Sequence, residues 1–406
     1  MRNAVDYGII TAAYWAFTLS DGALRMLVLL HLHHQGMGPL ALASLFLFYE
    51  LFGVVTTGLG GWLGARYGLK STLVAGLGLQ VAACGMLTVP DPALTLPWLM
   101  GAQALSGIAK DLTKMSAKSY IKLVVPEGDD RGLMRWVSWL TGSKNALKGA
   151  GFFLGAWLLG AAGFQATNGW MAGVMALALL GSALSLPRAP GKARAALSVR
   201  DLVPTDRRIR RLSLARLFLF GARDVWFVVA LPLYAMSVLG WSHERVGAFL
   251  ALWVIGYGVV QASAPTWVAG RGGGAPSGGT LLRWTGALLV PLLALEIALW
   301  WTEPSSTVLV VGLALFGVVF AANSAIHSYL IVSYADRDRV AARVGFYYMA
   351  NASGRLLGTL LSGALYQLAG QGHEGLLACI AASVVLVTFS VGASRRLAVL
   401  DPQAIR

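Results

Sequence analysis

Lysines at four-residue spacing are the first residues here that could do chemistry. Within 95–123, Lys110, Asp111, Lys114 and Lys118 interrupt an otherwise apolar stretch. On a helix, four-residue steps place the three lysines on one slowly drifting stripe. A second apolar stretch, 133–162, repeats the device with Lys144, Asn145 and Lys148. Arg223 and Asp224 are adjacent within 212–239, and Arg355 stands near the middle of 341–369. Asp21 and Arg25 lie four apart within 7–32, acid first, the better order for an intrahelical pair. Such groups suit the holding of an oxyanion, Arg through bidentate hydrogen bonds and Lys as a point charge.

Each group also has a blander use. Asp21–Arg25 and Arg223–Asp224 read equally as structural pairs that neutralise one another. Lys118 and Lys122 are expected to anchor the inner surface, and Arg216 to reach the cytoplasm along its flexible stem. The acids inside the apolar stretches are Asp21, Glu50, Asp111, Asp224 and Glu296. They are too few to balance Lys110, Lys114, Lys144, Lys148 and Arg355 once the adjacent pairs are discounted. Ionisable groups at membrane depth are costly and mark functional sites, and like charges repel strongly in a low dielectric. An anionic ligand relieves that repulsion, so the expectation is a cavity for a multiply charged anion such as a phosphate or arsenate ester.

Asn323 and His327, one turn apart, are candidates to add hydrogen bonds to that ligand; interhelix contacts are their alternative use. Glu50 is a lone acid in a run of aromatic and aliphatic residues, a setting for a proton carrier. Asp21 and Asp224 are the other proton-coupling candidates. His31, His33 and His34 cluster at one helix end, but a metal site there is not the expectation. Neither metal nor cofactor is expected.

The elements that must position these groups follow from composition. Of 406 residues, 57% are hydrophobic and only 12% charged, about half the charge of an ordinary soluble chain. The apolar residues form blocks of roughly 18–28, long enough for a helix to cross about 30 Å of hydrocarbon. Twelve transmembrane helices are predicted, at 7–32, 40–65, 72–89, 95–123, 133–162, 166–187, 212–239, 246–269, 280–301, 307–333, 341–369 and 374–393. The fold class is thus an all-α membrane protein of two pseudo-symmetric six-helix bundles, 1–187 and 212–406, joined by a basic cytoplasmic linker, 188–211.

A net charge of +14 suggests nucleic acid until its distribution is considered. Most loop Lys and Arg fall in alternate connections, from Arg66 and Lys70 to Arg395 and Arg396, and they crowd the 188–211 segment. That is the positive-inside pattern; it puts both termini in the cytoplasm and argues against a nucleic-acid partner. Trp98, Trp170, Trp241 and Trp300 fall near the predicted outer surface, where amphipathic rings are favoured. The first apolar block reads as a retained helix, since no cleavage site follows a short apolar core.

The halves repeat one another. Gly53-Val54-Val55, Trp62 and Arg66 recur as Gly258-Val259-Val260, Trp267 and Arg271. Asp21 matches Asp224, and Ser119-Tyr120, Asp129 and Gly149 match Ser328-Tyr329, Asp338 and Gly358. Duplicated bundles with a site near the membrane midplane are a common transporter plan.

Enzyme signatures are missing from the sequence. Gly68-Leu69-Lys70-Ser71 is not a P-loop, because no glycine directly precedes the lysine. Without a nucleotide-binding domain, transport must be secondary. Cys84 and Cys379 stand alone in separate halves, so neither a disulfide framework nor a Cys-pair metal site is expected from local spacing.

The segment Gly61-Trp62-Leu63-Gly64-Ala65-Arg66-Tyr67-Gly68-Leu69-Lys70 resembles the loop between helices 2 and 3 of the major facilitator superfamily. Ala65 and Leu69 depart from its usual Asp and Arg, so the charge relay of that loop is not expected here. A more extensive resemblance runs through DGALRMLVLLH from Asp21, LFLFYELFG from Leu45, QALSGIAKDLTKMSAKS from Gln103, LTGSKNALKG from Leu140, FLFGARDVWFVVALP from Phe218 and LWVIGYGVVQ from Leu252. These strings are similar to the bacterial ArsJ-type organoarsenical efflux permeases. The resemblance implies secondary efflux of 1-arseno-3-phosphoglycerate across the bacterial inner membrane, conferring arsenate resistance. It implies a functional partner, the glyceraldehyde-3-phosphate dehydrogenase that makes the ester. It also implies a cavity lined by helices 1, 4, 7 and 10, which carry Asp21, Arg25, Lys110, Lys114, Arg223, Asp224, Asn323 and His327. Two other readings stay open: an organophosphate or phosphoglycerate exchanger, and a non-transporting membrane receptor for an anionic metabolite.

Overall fold

The computed structural model describes residues 2–34, 53, 56–57, 59–60, 62–187, 203–268 and 274–401. Every regular element among them is helical. The long helices of the first part are α1 (Arg2–His34), α2 (Leu69–Met86), α3 (Leu96–Val124), α4 (Asp130–Ala162) and α5 (Phe164–Ser185). Then come α6 (Arg207–Phe227), α7 (Ala230–Ser237), α8 (His243–Ser263), α9 (Gly278–Ala287), α10 (Leu289–Trp301), α11 (Ser306–Tyr334), α12 (Val340–Leu368) and α13 (Gly372–Leu400). The predicted second helix, 40–65, lies largely outside the described residues.

Two predicted helices are each broken into a pair. The 212–239 stretch becomes α6 and α7, and 280–301 becomes α9 and α10. Pro232 and Pro291 explain both breaks. Proline has no N–H for the carbonyl four residues earlier, and its ring clashes there. Those carbonyls belong to Val228, the C-cap of α6, and Ala287, the last residue of α9. The start of α6 also moves, from 212 to Arg207. The Asp206 side chain accepts from the Arg208 backbone N–H at 2.7 Å and caps the helix five residues early.

Six stretches are long and apolar enough to cross a membrane: Leu69–Met86, Phe164–Ser185, Arg245–Thr266, Gly278–Trp301, Ser306–Tyr334 and Gly372–Leu400. The other long helices, α1, α3, α4, α6 and α12, carry most of the acids and bases singled out above. The chain is a multi-pass membrane protein.

Two compact units can be distinguished. The first comprises Met1–Asp129, Ser143–Val203 and Ala335–Met349; the second comprises Asp130–Gly142, Pro204–Tyr334 and Ala350–Arg406. The division drawn from sequence at 188–211 and this grouping differ at the opening turns of α4 and α12. Close packing explains both assignments. A Cβ on Gly142 would strike the Gly258 carbonyl and come 2.6 Å from the Ala262 nitrogen, so the start of α4 lies hard against α8. Arg337 pairs with Glu127 at 2.9 Å and donates to the Val125 carbonyl at 3.0 Å, which ties the approach to α12 to the end of α3.

Within the first unit, α1 and α4 meet backbone to backbone. A Cβ on Gly22 would lie 2.8 Å from the Lys148 carbonyl oxygen, and one on Gly151 2.7 Å from that of Leu19. Gly155 is as close to Ala23, at 2.5 Å. Within the second unit, α6 and α12 repeat this contact. A Cβ on Gly354 would strike the Leu217 carbonyl, and one on Gly358 would lie 2.6 Å from that of Gly221. Gly151 and Gly155 are displaced from Gly354 and Gly358 by the separation that relates Asp21 to Asp224. In packing, the partner of Gly358 is therefore Gly155, not the Gly149 matched from sequence. Small residues allow helices to approach in a membrane, where no hydrophobic force drives them together.

The core of the second unit centres on Trp226, which stands edge-on to Phe316 at 5.3 Å and to Trp253 at 6.0 Å. Ser383 and Ser390 of α13 donate to the Ala222 and Ala215 carbonyls of α6, at 2.6 and 2.9 Å. Thus α6 is held by α12 on one side and α13 on another, and its ionisable groups are fixed in place.

Candidate anion-binding site

In the first unit the basic stripe of α3 is organised by one acid. Asp111 is buried; Lys114 donates to its Oδ1 at 2.6 Å and Thr56 to its Oδ2 at 3.0 Å. The Lys114 ammonium also lies 5.0 Å from the ring centre of Tyr348 on α12. Lys110 is half-buried one turn away on the same helix. On α1, Arg25 approaches Asp21 at 3.9 Å, the intrahelical pair expected from their spacing. Lys144, Asn145 and Lys148 on α4 are half-buried. The glycine contact between α1 and α4 brings the Lys148 backbone to within van der Waals reach of Gly22, next to Asp21.

Lys118 differs from expectation. It is only 3% exposed, and its ammonium donates to the Tyr348 hydroxyl. It was expected as an anchor at the inner surface; instead α12 closes over it. Depth along its own helix could not reveal a tyrosine supplied from far along the chain.

In the second unit one carboxylate serves two guanidiniums. Asp224, 1% exposed, pairs through Oδ1 with Arg223 at 2.5 Å and through Oδ2 with Arg355 at 3.3 Å. Arg223 also packs 4.9 Å from the Phe220 ring centre. Arg216 again departs from the sequence reading. Rather than reaching the cytoplasm it is 3% exposed, donating to Asn351 Oδ1 at 2.9 Å and to Ser324 Oγ at 3.0 Å. Its guanidinium stacks 3.8 Å from the Phe220 ring centre. His327 is fully buried and interacts electrostatically with Arg216.

Asn323 is a brace. Its amide donates to the Trp284 and Val319 carbonyls at 2.8 and 3.1 Å, and its oxygen accepts from Thr285 at 2.9 Å. Both amide hydrogens are committed to the protein, so the expected hydrogen bond to a ligand gives way to an α9–α11 contact. Glu50 lies outside the described residues.

His31 stacks on Phe164 at 4.1 Å and meets Asp91 at 3.3 Å; the His33 and His34 side chains lie outside those described. Among the described residues no group of three or more His, Cys, Asp or Glu could hold a metal ion. Cys84 and Cys379 are both free and buried.

Lys110, Lys114, Lys144, Lys148, Arg223, Asp224 and Arg355 stand out in the sequence as charge inside apolar stretches. Tyr348, Asn351 and Ser324, the partners of Lys118 and Arg216, do not, because neutral polar residues in membrane helices are common and give no local signal.

Long apolar helices with ionisable side chains held in pairs inside their spans mark a multi-pass membrane protein. The chain belongs to the Major Facilitator Superfamily, whose profile matches residues 10–295. The human organic anion transporter MFSD10 superposes with a TM-score of 0.73 at 17% identity, covering 95% of this chain and 98% of that one. A bacterial homologue of the iron transporter ferroportin, in its outward-facing state, gives 0.75 at 18% identity, with 97% and 99% covered. The Escherichia coli fucose:proton symporter gives 0.75 at 12% identity, with 97% and 99% covered. At these identities the likeness establishes the fold. No curated protein sequence matches significantly.

Proposed function

We propose that the protein is a secondary transporter that exports an anionic organoarsenical ester, 1-arseno-3-phosphoglycerate, from the bacterial cytoplasm and so confers arsenate resistance. The observation that carries the anion is the sharing of one buried carboxylate, Asp224, by Arg223 and Arg355. Two guanidiniums brought together at one buried acid concentrate cationic donors of the kind that suit an oxyanion. Arg216 and the lysine stripe around Asp111 support the same polarity. The substrate itself comes from the resemblance of the strings beginning at Asp21, Leu45, Gln103, Leu140, Phe218 and Leu252 to organoarsenical permeases. A dehydrogenase of the glyceraldehyde-phosphate type supplies the ester.

In this reading Arg25, Lys110, Lys114, Lys144, Asn145, Lys148, Arg223 and Arg355 attract and orient the ester. Alternating access moves it outward across the inner membrane, with both termini in the cytoplasm. Asp21 and Asp224 are already engaged by arginines, so a proton that couples the return step would have to displace a guanidinium from either.

The test uses inverted membrane vesicles. Uptake of the arsenate ester should exceed that of 3-phosphoglycerate several-fold. Equal rates would replace the arsenical assignment with a phosphoglycerate exchanger. Binding without accumulation in proteoliposomes would point to a receptor.

A further inference from the structure

We propose that the exposed face shared by α6 and α13 holds an anionic glycerophospholipid, its phosphate between Arg211 and Arg396 and its acyl chains along Phe218 and Phe389. The inference rests on the membrane fold and not on the identity of the transported solute. Two hydrogen bonds fix how the helices run. Ser383 donates to the Ala222 carbonyl and Ser390 to that of Ala215, seven residues forward on one helix and seven back on the other. The helices are therefore antiparallel and in step, and five residues beyond Ser390 bring Arg395 level with Arg210. The Phe218 and Phe389 rings meet at 5.3 Å, and Phe389 is 55% exposed. Arg211 and Arg396 each stand seven residues from their phenylalanine toward the same end, two turns or about 10 Å along and on the same face. Between Phe389 and Arg396 lies Gly392, where a Cβ would find nothing within 4 Å.

The result is a groove with aromatic walls, open space at Gly392 and cations at one end. Arg207, Arg210, Arg395 and Arg396 are exposed and Arg211 is half-buried. None of the five has an ion pair to a described residue. The acids nearby are engaged elsewhere. Asp206 pairs with Arg208 at 3.0 Å, and Asp401 accepts from the Tyr334 hydroxyl at 2.6 Å and the Gly278 N–H at 2.7 Å. A phosphodiester matches the planar fork of a guanidinium. Its acyl chains suit an aromatic surface that already faces hydrocarbon. A soluble phosphate would gain only the charges, whereas a basic cluster at the end of membrane helices favours a lipid headgroup. With both termini in the cytoplasm, as proposed above, the lipid belongs to the inner leaflet.

Native mass spectrometry of the purified full-length protein, titrated in detergent with phosphatidylglycerol or phosphatidylcholine, reads affinity and stoichiometry. Phosphatidylglycerol should bind at least about tenfold more tightly. Arg211→Gln combined with Arg396→Gln should weaken it about thirtyfold, at about 1 kcal/mol per arginine, and leave phosphatidylcholine unchanged. Gly392→Leu keeps both charges but fills the groove, so it should weaken both lipids; it carries the test if the double variant folds poorly. Arg245→Gln, beside Trp241 at the start of α8, should bind phosphatidylglycerol as the wild type does. Equal affinity for the two lipids, or undiminished phosphatidylglycerol binding in the double variant, overturns the site. Displacement of the lipid by an equal concentration of glycerol 3-phosphate would assign the arginines to a soluble phosphate and overturn it too. So would a lipid-free dimer that Gly392→Leu dissociates, which would give the face to a second copy of the chain.

Discussion

Arg216 donates to the amide oxygen of Asn351 at 2.9 Å while its guanidinium lies 3.8 Å from the Phe220 ring centre. Asn351 is a neutral partner for the Arg216 guanidinium. Asn351→Asp would turn that contact into an ion pair. The variant should unfold at higher temperature yet transport more slowly, by about tenfold if Arg216 attracts the ligand. Thermal melts and vesicle uptake measured together decide it. A more stable variant with undiminished uptake would remove Arg216 from the site.

Asp224→Asn should be severely destabilising. It leaves Arg223 and Arg355 facing each other across a neutral amide, and breaking a buried pair costs about 3–5 kcal/mol. The double variant Asp224→Asn with Arg355→Gln should recover part of that loss, because the repulsion has gone. Unfolding of the purified protein in detergent measures both. No recovery in the double variant would mean that Asp224 acts through packing.

Lys110→Ala and Lys144→Ala should each cut ester uptake at least about tenfold, as expected for loss of a charge-assisted contact of about 1.5–3 kcal/mol. Growth on arsenate provides a second measurement. Full resistance in cells carrying either variant would remove that lysine from the site.

Gly354→Ala tests the close approach of α6 and α12. Replacing glycine by alanine inside a helix ordinarily gains about 0.5–1 kcal/mol. Here the new methyl would strike the Leu217 carbonyl, so a loss of about 1–3 kcal/mol is expected. Gly78→Ala, where nothing lies within 4 Å, should show the ordinary sign. Matching melting shifts in the two variants would contradict the contact.

Asn323→Ala should destabilise the protein by about 1–3 kcal/mol, because buried partners at Trp284 and Thr285 lose their hydrogen bonds. Its KM for the ester should stay near that of the wild type. A raised KM with unchanged stability would restore Asn323 to the ligand.

Helix type and approximate position were legible in the sequence, because twenty apolar residues in a row have few alternatives to a membrane helix. So were the stripe of Lys110, Lys114 and Lys118, the Asp21–Arg25 pair and the adjacency of Arg223 to Asp224. These are local facts, set by 3.6 residues per turn. The proline breaks before Pro232 and Pro291 were equally local and could have been read. What the tertiary structure alone decided was the company these groups keep. Whether Lys118 reaches water or Tyr348, whether Arg355 finds Asp224, and whether Asn323 faces a ligand or Trp284 depend on residues tens to hundreds of positions away. One helix's periodicity tells which side chains share a face, but the neighbour that covers that face is chosen by packing, through contacts as small as a glycine against a carbonyl.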